Sequence, residues 1–426
     1  MKVLIISHNP ICTYDNMGKT ILSLFSCFKK EEICQLYVYP SMPDVDRCSS
    51  YYRITDREVL KSLRLFAGAP GGEISISVEN GLDLKAGKSK KDMTQEQESF
   101  LYIIRDIVWQ VSRWYSDELR TWLDRENPDV VFLTPGSSRF IYDVAIKISR
   151  ERNIPVVMYI CDDFYFLDGK TGIIRAFQLK MLKKKIRKTL EKTCGIVTIC
   201  EDMRRSYSRE FGLPVYTVMT GAGIERHNVK EVERVGNLSY FGNLTYNRYL
   251  GIAEIGRALD RINERTGQAV QLRVYSRNDN RTVRTEFDGI RSLTMMGFLS
   301  GEEYEKAFFD SDVLIHTEAF DEECISRVKH SVSTKIADSL ASGIILFAYG
   351  PRGIASMDHL EENNCAWIVN DSSELEVQIG EMLSSPEKRT GIAREGLKIA
   401  EECHDSRINS EKIRSILESA ADGRLK

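Results

Sequence analysis

Nowhere in this chain do about eighteen apolar residues run together, so the sequence offers no candidate membrane-spanning helix. The opening MKVLIISHNP holds an apolar run too short for a secretory signal. Ten cysteines are present, but none form a CxxC pair and none stand with histidine at zinc spacing. They read as reduced core residues, which makes a cytoplasmic location the expectation. An excess of basic charge is missing as well. The 59 Lys and Arg stand against 62 Asp and Glu, a net charge of -3, which argues against a nucleic-acid binder. No residue-level repeat is visible either.

What is present suits a large enzyme. The 426 residues are 42% hydrophobic and 28% charged, enough for substantial cores in two domains. In the first half, short apolar runs at 3–7, 33–39, 129–134, 155–161, 195–200 and 215–219 alternate with helical patterns. Residues 41–95 interrupt this alternation and read as an irregular insertion, and 95–127 as one long helical stretch. Residues 223–236 lose the apolar pattern and look like a linker. Strand-like runs then resume at 238–241, 270–275, 312–316 and 366–369. The expected fold class is α/β, with two Rossmann-like, doubly wound parallel-sheet domains at 1–222 and 237–405. Ligands would bind at strand carboxyl ends, facing a cleft. The segment 406–426 reads as a terminal helix packing back on the first domain.

The most informative stretch is SVSTKIADSLASGIILFAY, residues 331–349. Ser333 or Thr334 can cap a helix there, and Gly343 suits its left-handed end. A helix start attracts phosphate, Lys335 adds a full positive charge, and Asp338 follows on the same face, placed to accept hydrogen bonds from ribose hydroxyls. A capped surface helix leading into a buried strand is the plain alternative.

Other strand ends carry further candidates. The MGKT of the first loop is not a Walker motif, because Thr13 stands where the required glycine belongs. Gly18 remains as a possible point of close backbone approach. In YFGNLTYNRYLG, Gly242 and Asn243 end a strand and Arg248 opens a helix, where it could grip a phosphate or simply be solvated. Gly297 and Phe298 could offer backbone groups to a base. Glu318 and Glu322, with Asp321 and Glu323, could hold sugar hydroxyls or form a solvated acidic loop. Their spacing is not that of a calcium loop, and no metal is expected. Asp162 or Asp163 could orient an acceptor hydroxyl or cap the next segment. From Ile173 to Lys192 the chain has eight basic residues and one acidic one. Ile174, Phe177, Met181, Leu182, Ile186 and Leu190 lie roughly along one side. This helix suits either an anionic membrane surface or ordinary packing on a sheet.

Three segments together, YFGNLTYNR, GFLSGEEYEKAFFDSDVLIHTEAFD and STKIADSLASGIILFAYGP, resemble glycosyltransferases of the GT-B fold. In particular they resemble the large retaining family 4 and its bacterial capsule and surface-polysaccharide members. The resemblance spans most of 237–370 and is limited in the first half to the Gly18 loop and VMTGAGIE. It implies a nucleotide-sugar donor on the second domain and a glycan or lipid-linked acceptor on the first. Asp338 matches the ribose-binding acid of the family's Glu-x7-Glu motif, and Lys335 and Arg248 match positions near the donor phosphates. Strict spacing puts His330 where the motif's first glutamate belongs, unless Glu322 or Glu323 substitutes. Asn243 stands where many relatives have arginine. The expected activity is a metal-independent, hexosyltransferase-like reaction in polysaccharide biosynthesis, with no cofactor beyond the donor. Lys335 and Arg248 would stabilise charge and Asp162 would serve the acceptor. A sugar-nucleotide epimerase of the same fold, or a non-catalytic nucleotide-binding scaffold, is the alternative.

Overall fold

The structure, a computed structural model, describes residues 1–64, 68–75, 94–167 and 172–425. The chain divides into two compact units, Met1–Val218 with Ser406–Lys426, and Met219–Asp405.

The first unit is built on an eight-stranded sheet. Its strands are β1 (Val3–Ser7), β2 (Ile33–Tyr37), β3 (Ser50–Arg53), β4 (Gly72–Ile74), β5 (Val130–Leu133), β6 (Val156–Ile160), β7 (Gly195–Thr198) and β8 (Val215–Thr217), in the order β4-β3-β2-β1-β5-β6-β7-β8. All pairings are parallel except that of β3 with β4. The strands β1, β2, β5, β6 and β7 are buried at every position, as a sheet covered by helices on both faces requires.

Two expectations change here. The stretch 41–95, of which 65–67 and 76–93 lie outside the described residues, is not wholly irregular: it supplies β3, the helix Asp56–Ser62 and β4. Trp122 pins it by donating to Ser50 Oγ at 2.9 Å. The helical stretch 95–127 is two helices, Gln95–Val111 and Asp117–Glu126, the second capped by Ser116. The helix Ser406–Ala421 belongs to this unit and packs on Asn16–Leu24. Arg414 fixes it with a two-point ion pair to Glu32, at 2.8 and 2.9 Å, while lying over the Phe28 ring.

The second unit has a six-stranded, all-parallel sheet in the order β11-β10-β9-β12-β13-β14. These strands are β9 (Asn237–Phe241), β10 (Gln271–Tyr275), β11 (Leu293–Gly297), β12 (Val313–Thr317), β13 (Ile345–Tyr349) and β14 (Trp367–Val369). In a doubly wound sheet the connections reverse direction between two neighbouring strands, leaving a crevice at their carboxyl ends. That switch point falls between β9 and β12, and in the first unit between β1 and β5.

Residues 219–236 have no regular structure but are tied firmly to the second unit. Lys230 donates to the carbonyls of Phe309 and Ser311, and the buried Arg389 donates to those of Val232 and Glu233. Gly343 follows the helix Thr334–Ala341 at φ +71°, and a Cβ there would stand 2.2 Å from the Asn228 carbonyl oxygen. Gly343→Ala is therefore expected to lower unfolding stability by about 1–3 kcal/mol. Urea denaturation checks this, with the slope m unchanged.

Candidate functional site

At the switch point of the second unit, β9 leads into Gly242 and Asn243, and the chain then turns through Tyr246 and Asn247. Both adopt left-handed backbone, at φ 54° and 55°. Two successive non-glycine residues in that region are strained, and such strain tends to collect at functional sites. The turn makes Arg248 the first residue of the helix Arg248–Thr266. Its Nε and Nη2 donate to the two carboxylate oxygens of Glu318 at 2.9 Å each, and its Nη1 donates to Asn243 Oδ1 at 3.1 Å. Glu318 follows β12, is buried, and donates its backbone N–H to the Tyr349 carbonyl of β13. Burial works against the Arg248 charge, but the Glu318 carboxylate outweighs it and holds the guanidinium pKa above its ordinary value. Arg248, expected to grip a phosphate or to be solvated, is thus half of an ion pair spanning the crevice.

Behind the pair lies His316, with Nε2 3.7 Å from Glu318 Oε1 and without a hydrogen-bond partner. Burial brings its pKa down to about 4, so it is neutral near pH 7.

The helix Thr334–Ala341 is capped by Ser333, whose Oγ accepts the Lys335 N–H. Thr334 is its first residue. The Lys335 side chain is half-exposed, with Nζ 4.0 Å from Asp338 Oδ2 and 5.2 Å from the Tyr304 ring centre. Asp338 Oδ1 accepts the Gly223 N–H at 2.7 Å. One oxygen of the expected ribose ligand therefore anchors the loop that opens this unit, while the other faces Lys335.

The remaining candidates of this unit scatter along the same edge. Gly242 donates its N–H to the Tyr275 carbonyl, so that N–H serves the strand ends and not a ligand. Glu322 is exposed in the first turn of Glu322–Val328, which Asp321 caps, and Glu323 pairs with Arg327. His330 lies between that helix and Thr334–Ala341. Phe298 follows Gly297 at the end of β11 and is half-exposed, with the Arg277 guanidinium 3.6 Å above its ring. Arg277, Tyr304 and His316 were not singled out from sequence. Arg277 had a usable signal, a basic residue two positions after a strand.

In the first unit, Gly18 donates its N–H to Asp15 Oδ1, and a Cβ on it would lie 2.3 Å from Cys12 Sγ and 2.8 Å from the Pro10 carbonyl oxygen. The close approach expected of Gly18 is thus to its own loop. Asp162 follows β6 and is exposed, and its carboxylate meets no side-chain partner among the described residues, desolvation alone raising its pKa. Asp163 takes the capping role, accepting from the backbone of Tyr165 and Phe166 and from the Tyr207 hydroxyl. At this unit's switch point, His8 packs on Gly136, where a Cβ would come within 2.9 Å of the imidazole. Burial and the charge of Arg105 lower the His8 pKa to about 3.

The helix Ile173–Leu190 turns Leu182, Ile186 and Leu190 inward and leaves Ile173, Ile174 and Phe177 exposed, so the apolar line expected along one side is split between packing and solvent. Among the described residues no helix is long and apolar enough to cross a membrane, and no cluster of three His, Cys, Asp or Glu is placed to hold a metal.

No protein-family model matches the chain, and no curated protein matches it. Solved structures match over its whole length. A sucrose-phosphate synthase from Thermosynechococcus elongatus superposes with a TM-score of 0.65 at 9% identity, covering 99% of this chain and 100% of that one. HepE from Anabaena, in complex with UDP, gives 0.63 at 10% identity over 98% and 100%. A UDP-forming trehalose-phosphate synthase from Burkholderia vietnamiensis gives 0.58 at 10% over 98% and 100%. The chain has the GT-B fold. At such identities the likeness is one of fold.

Two outcomes are expected. Glu318→Ala strands a buried guanidinium and costs about 3–5 kcal/mol, whereas Arg248→Met with Glu318→Leu recovers most of that loss in urea unfolding. Acid is also destabilising. His8 and His316, along with His359 and His404 at about 3 and 4, are held below the ordinary 6.5. Above pH 6.5 both folded and unfolded forms are neutral; as pH falls from there towards about 4, only the unfolded chain gains protons. Stability therefore drops over that window, by up to about 1.4 kcal/mol per pH unit for each histidine. Urea midpoints against pH measure the slope, and His316→Gln flattens it.

Proposed function

We propose that this protein is a glycosyltransferase that moves a sugar from a nucleotide-diphosphate donor to a glycan or lipid-linked acceptor. The observation that carries this reading is the likeness in fold, along the entire chain, to structures described as holding UDP and to a UDP-forming synthase. The second unit has features suited to such a donor. Lys335 is a half-exposed cation at a helix start, the arrangement that stabilises a leaving diphosphate without a metal. Asp338 stands one helical turn from Lys335 on the same helix, the place the ribose-binding acid was expected to take. Phe298 with Arg277 against it offers a flat surface for a base.

Arg248 has a different part from the one expected. Three of its roughly five guanidinium N–H groups are taken by Glu318 and Asn243, so about two remain to orient a phosphate. Its charge is held close by the buried Glu318, whereas Lys335, half-exposed and at the longer 4.0 Å from Asp338, is the cation that can turn to a departing diphosphate. On the first unit Asp162, whose carboxylate has no protein partner among the described residues, orients the acceptor hydroxyl. With Lys335 drawing the diphosphate away, attack from the same face and retention of configuration follow, as in retaining family 4. The role is in capsule or surface-polysaccharide synthesis.

Lys335→Ala is expected to lower turnover about a hundredfold with little change in unfolding. Asp338→Asn should mainly raise the donor concentration needed for half-maximal rate. Titration of UDP-sugars against release of UDP reads both, and unchanged turnover in Lys335→Ala removes that residue from the mechanism. A second reading, a nucleotide-binding scaffold, draws on the Gly18 and Gly242 N–H groups and the Arg248 charge all being occupied within the protein. It predicts a thermal shift with UDP and no turnover with any acceptor. An epimerase would instead convert the donor alone, releasing no free UDP.

A further inference from the structure

The helix Gln95–Val111 is built inside out. Its buried side holds Ser99, Asp106 and Trp109, with Arg105 beside them, and it is anchored mainly by polar bonds. Asp106 accepts from Arg139 and from the Phe140 N–H, Arg105 bonds Asp56 and Ser138, and Trp109 donates to Asp56. Its outer side carries Phe100, Ile104, Ile107 and Val111, at spacings of four, three and four, with Leu101 adjacent. These five are between 41% and 63% exposed. A surface helix normally turns such a stripe to the core, and contiguous exposed apolar area marks an interaction site.

The helix packs against Ile173–Leu190, and Glu96 caps the start of that helix through the N–H groups of Ile174 and Arg175. The two helix starts are therefore adjacent. On Ile173–Leu190 the outward side reads Ile173 (89% exposed) and Phe177 (54%), then Lys180, Lys184 and Lys188. All five fall on one face at helical spacing, and the three exposed lysines pair with no acidic side chain among the described residues. Eight of the nineteen large apolar side chains exposed among the described residues lie on these two helices. Both are fastened to the loop after β5, where Ser137 accepts from Gln178 and Ser138 from Arg105, which places them at the carboxyl end of the sheet.

We propose that this two-helix face docks on an anionic lipid surface, the apolar stripe entering the acyl boundary and Lys180, Lys184 and Lys188 meeting lipid phosphates. Charge selects this occupant over a second copy of the chain. A two-fold interface built on the same face would bring like-charged lysine rows together, whereas an anionic membrane matches them. The inference stands apart from the transferase reading, since vesicle binding is read with neither donor nor acceptor present.

The test is co-sedimentation of the full chain with vesicles of phosphatidylcholine alone or mixed with phosphatidylglycerol. Binding to the mixed vesicles that weakens with added salt is expected. Lys180→Glu with Lys184→Glu and Lys188→Glu should lose roughly a hundredfold or more in affinity. Ile104→Asp with Ile107→Asp should lose binding even at low salt, and thermal unfolding shows that both variants stay folded. The proposal is overturned if the folded wild type sediments with neither vesicle, or if both variants bind as it does. It is equally overturned by a dimer in light scattering that Ile104→Asp with Ile107→Asp converts to monomer while vesicles bind neither form.

Discussion

A parallel sheet has to be covered on both faces, and in this chain that requirement decides where chemistry can happen. Helices occupy the faces, so loops free to vary are pushed to the strand ends, and the switch point leaves a crevice at the carboxyl end. In the second unit the crevice between β9 and β12 is bridged by Arg248 and Glu318, a pair deep enough that neither charge stands alone. The pair holds the loop after one strand to the loop after the other. It also secures one side of the strained turn at Tyr246 and Asn247, and the Asn247 amide donating to Asp321 secures the other.

Charge is distributed unevenly around this frame. The buried groups are compensated in different ways: Arg248 by the Glu318 carboxylate, Arg389 by carbonyl oxygens that accept its hydrogen bonds, the deep histidines by losing their protons. Solvent-facing cations stand outside, at Lys335, 4.0 Å from Asp338, on the second unit and along the lysine row of Ile173–Leu190 on the first.

Much of the fold was legible because strands buried on both faces are continuous apolar runs, as in VLIIS and ILFAY. The strands β3 and β4 escaped notice because SYYR and GEI have no such run and owe their place to partners in β2 and Trp122. At the site, Ser333, Lys335 and Gly343 could be read because a cap, a cation and a helix stop act within a dozen residues. The Arg248–Glu318 pair could not, since its members are 70 positions apart. At Gly18 the structure shows a local reason for glycine, since Cys12 and the Pro10 carbonyl crowd it and Asp15, three residues earlier, accepts its N–H. The helical character of Gln95–Val111 was visible too. Which side faced inward was not, because Asp56, Ser138 and Arg139 settle it from far along the chain.

The helix Ser406–Ala421 completes a unit whose other part ends at Val218. During synthesis the surface around Asn16–Leu24 and Phe28 must wait, uncovered, while the whole of the other unit is made. That other unit is one unbroken stretch and can finish folding as it leaves the ribosome. The domain begun first is therefore the one closed last, and a nascent chain stalled short of residue 406 leaves it open to chaperones and proteases.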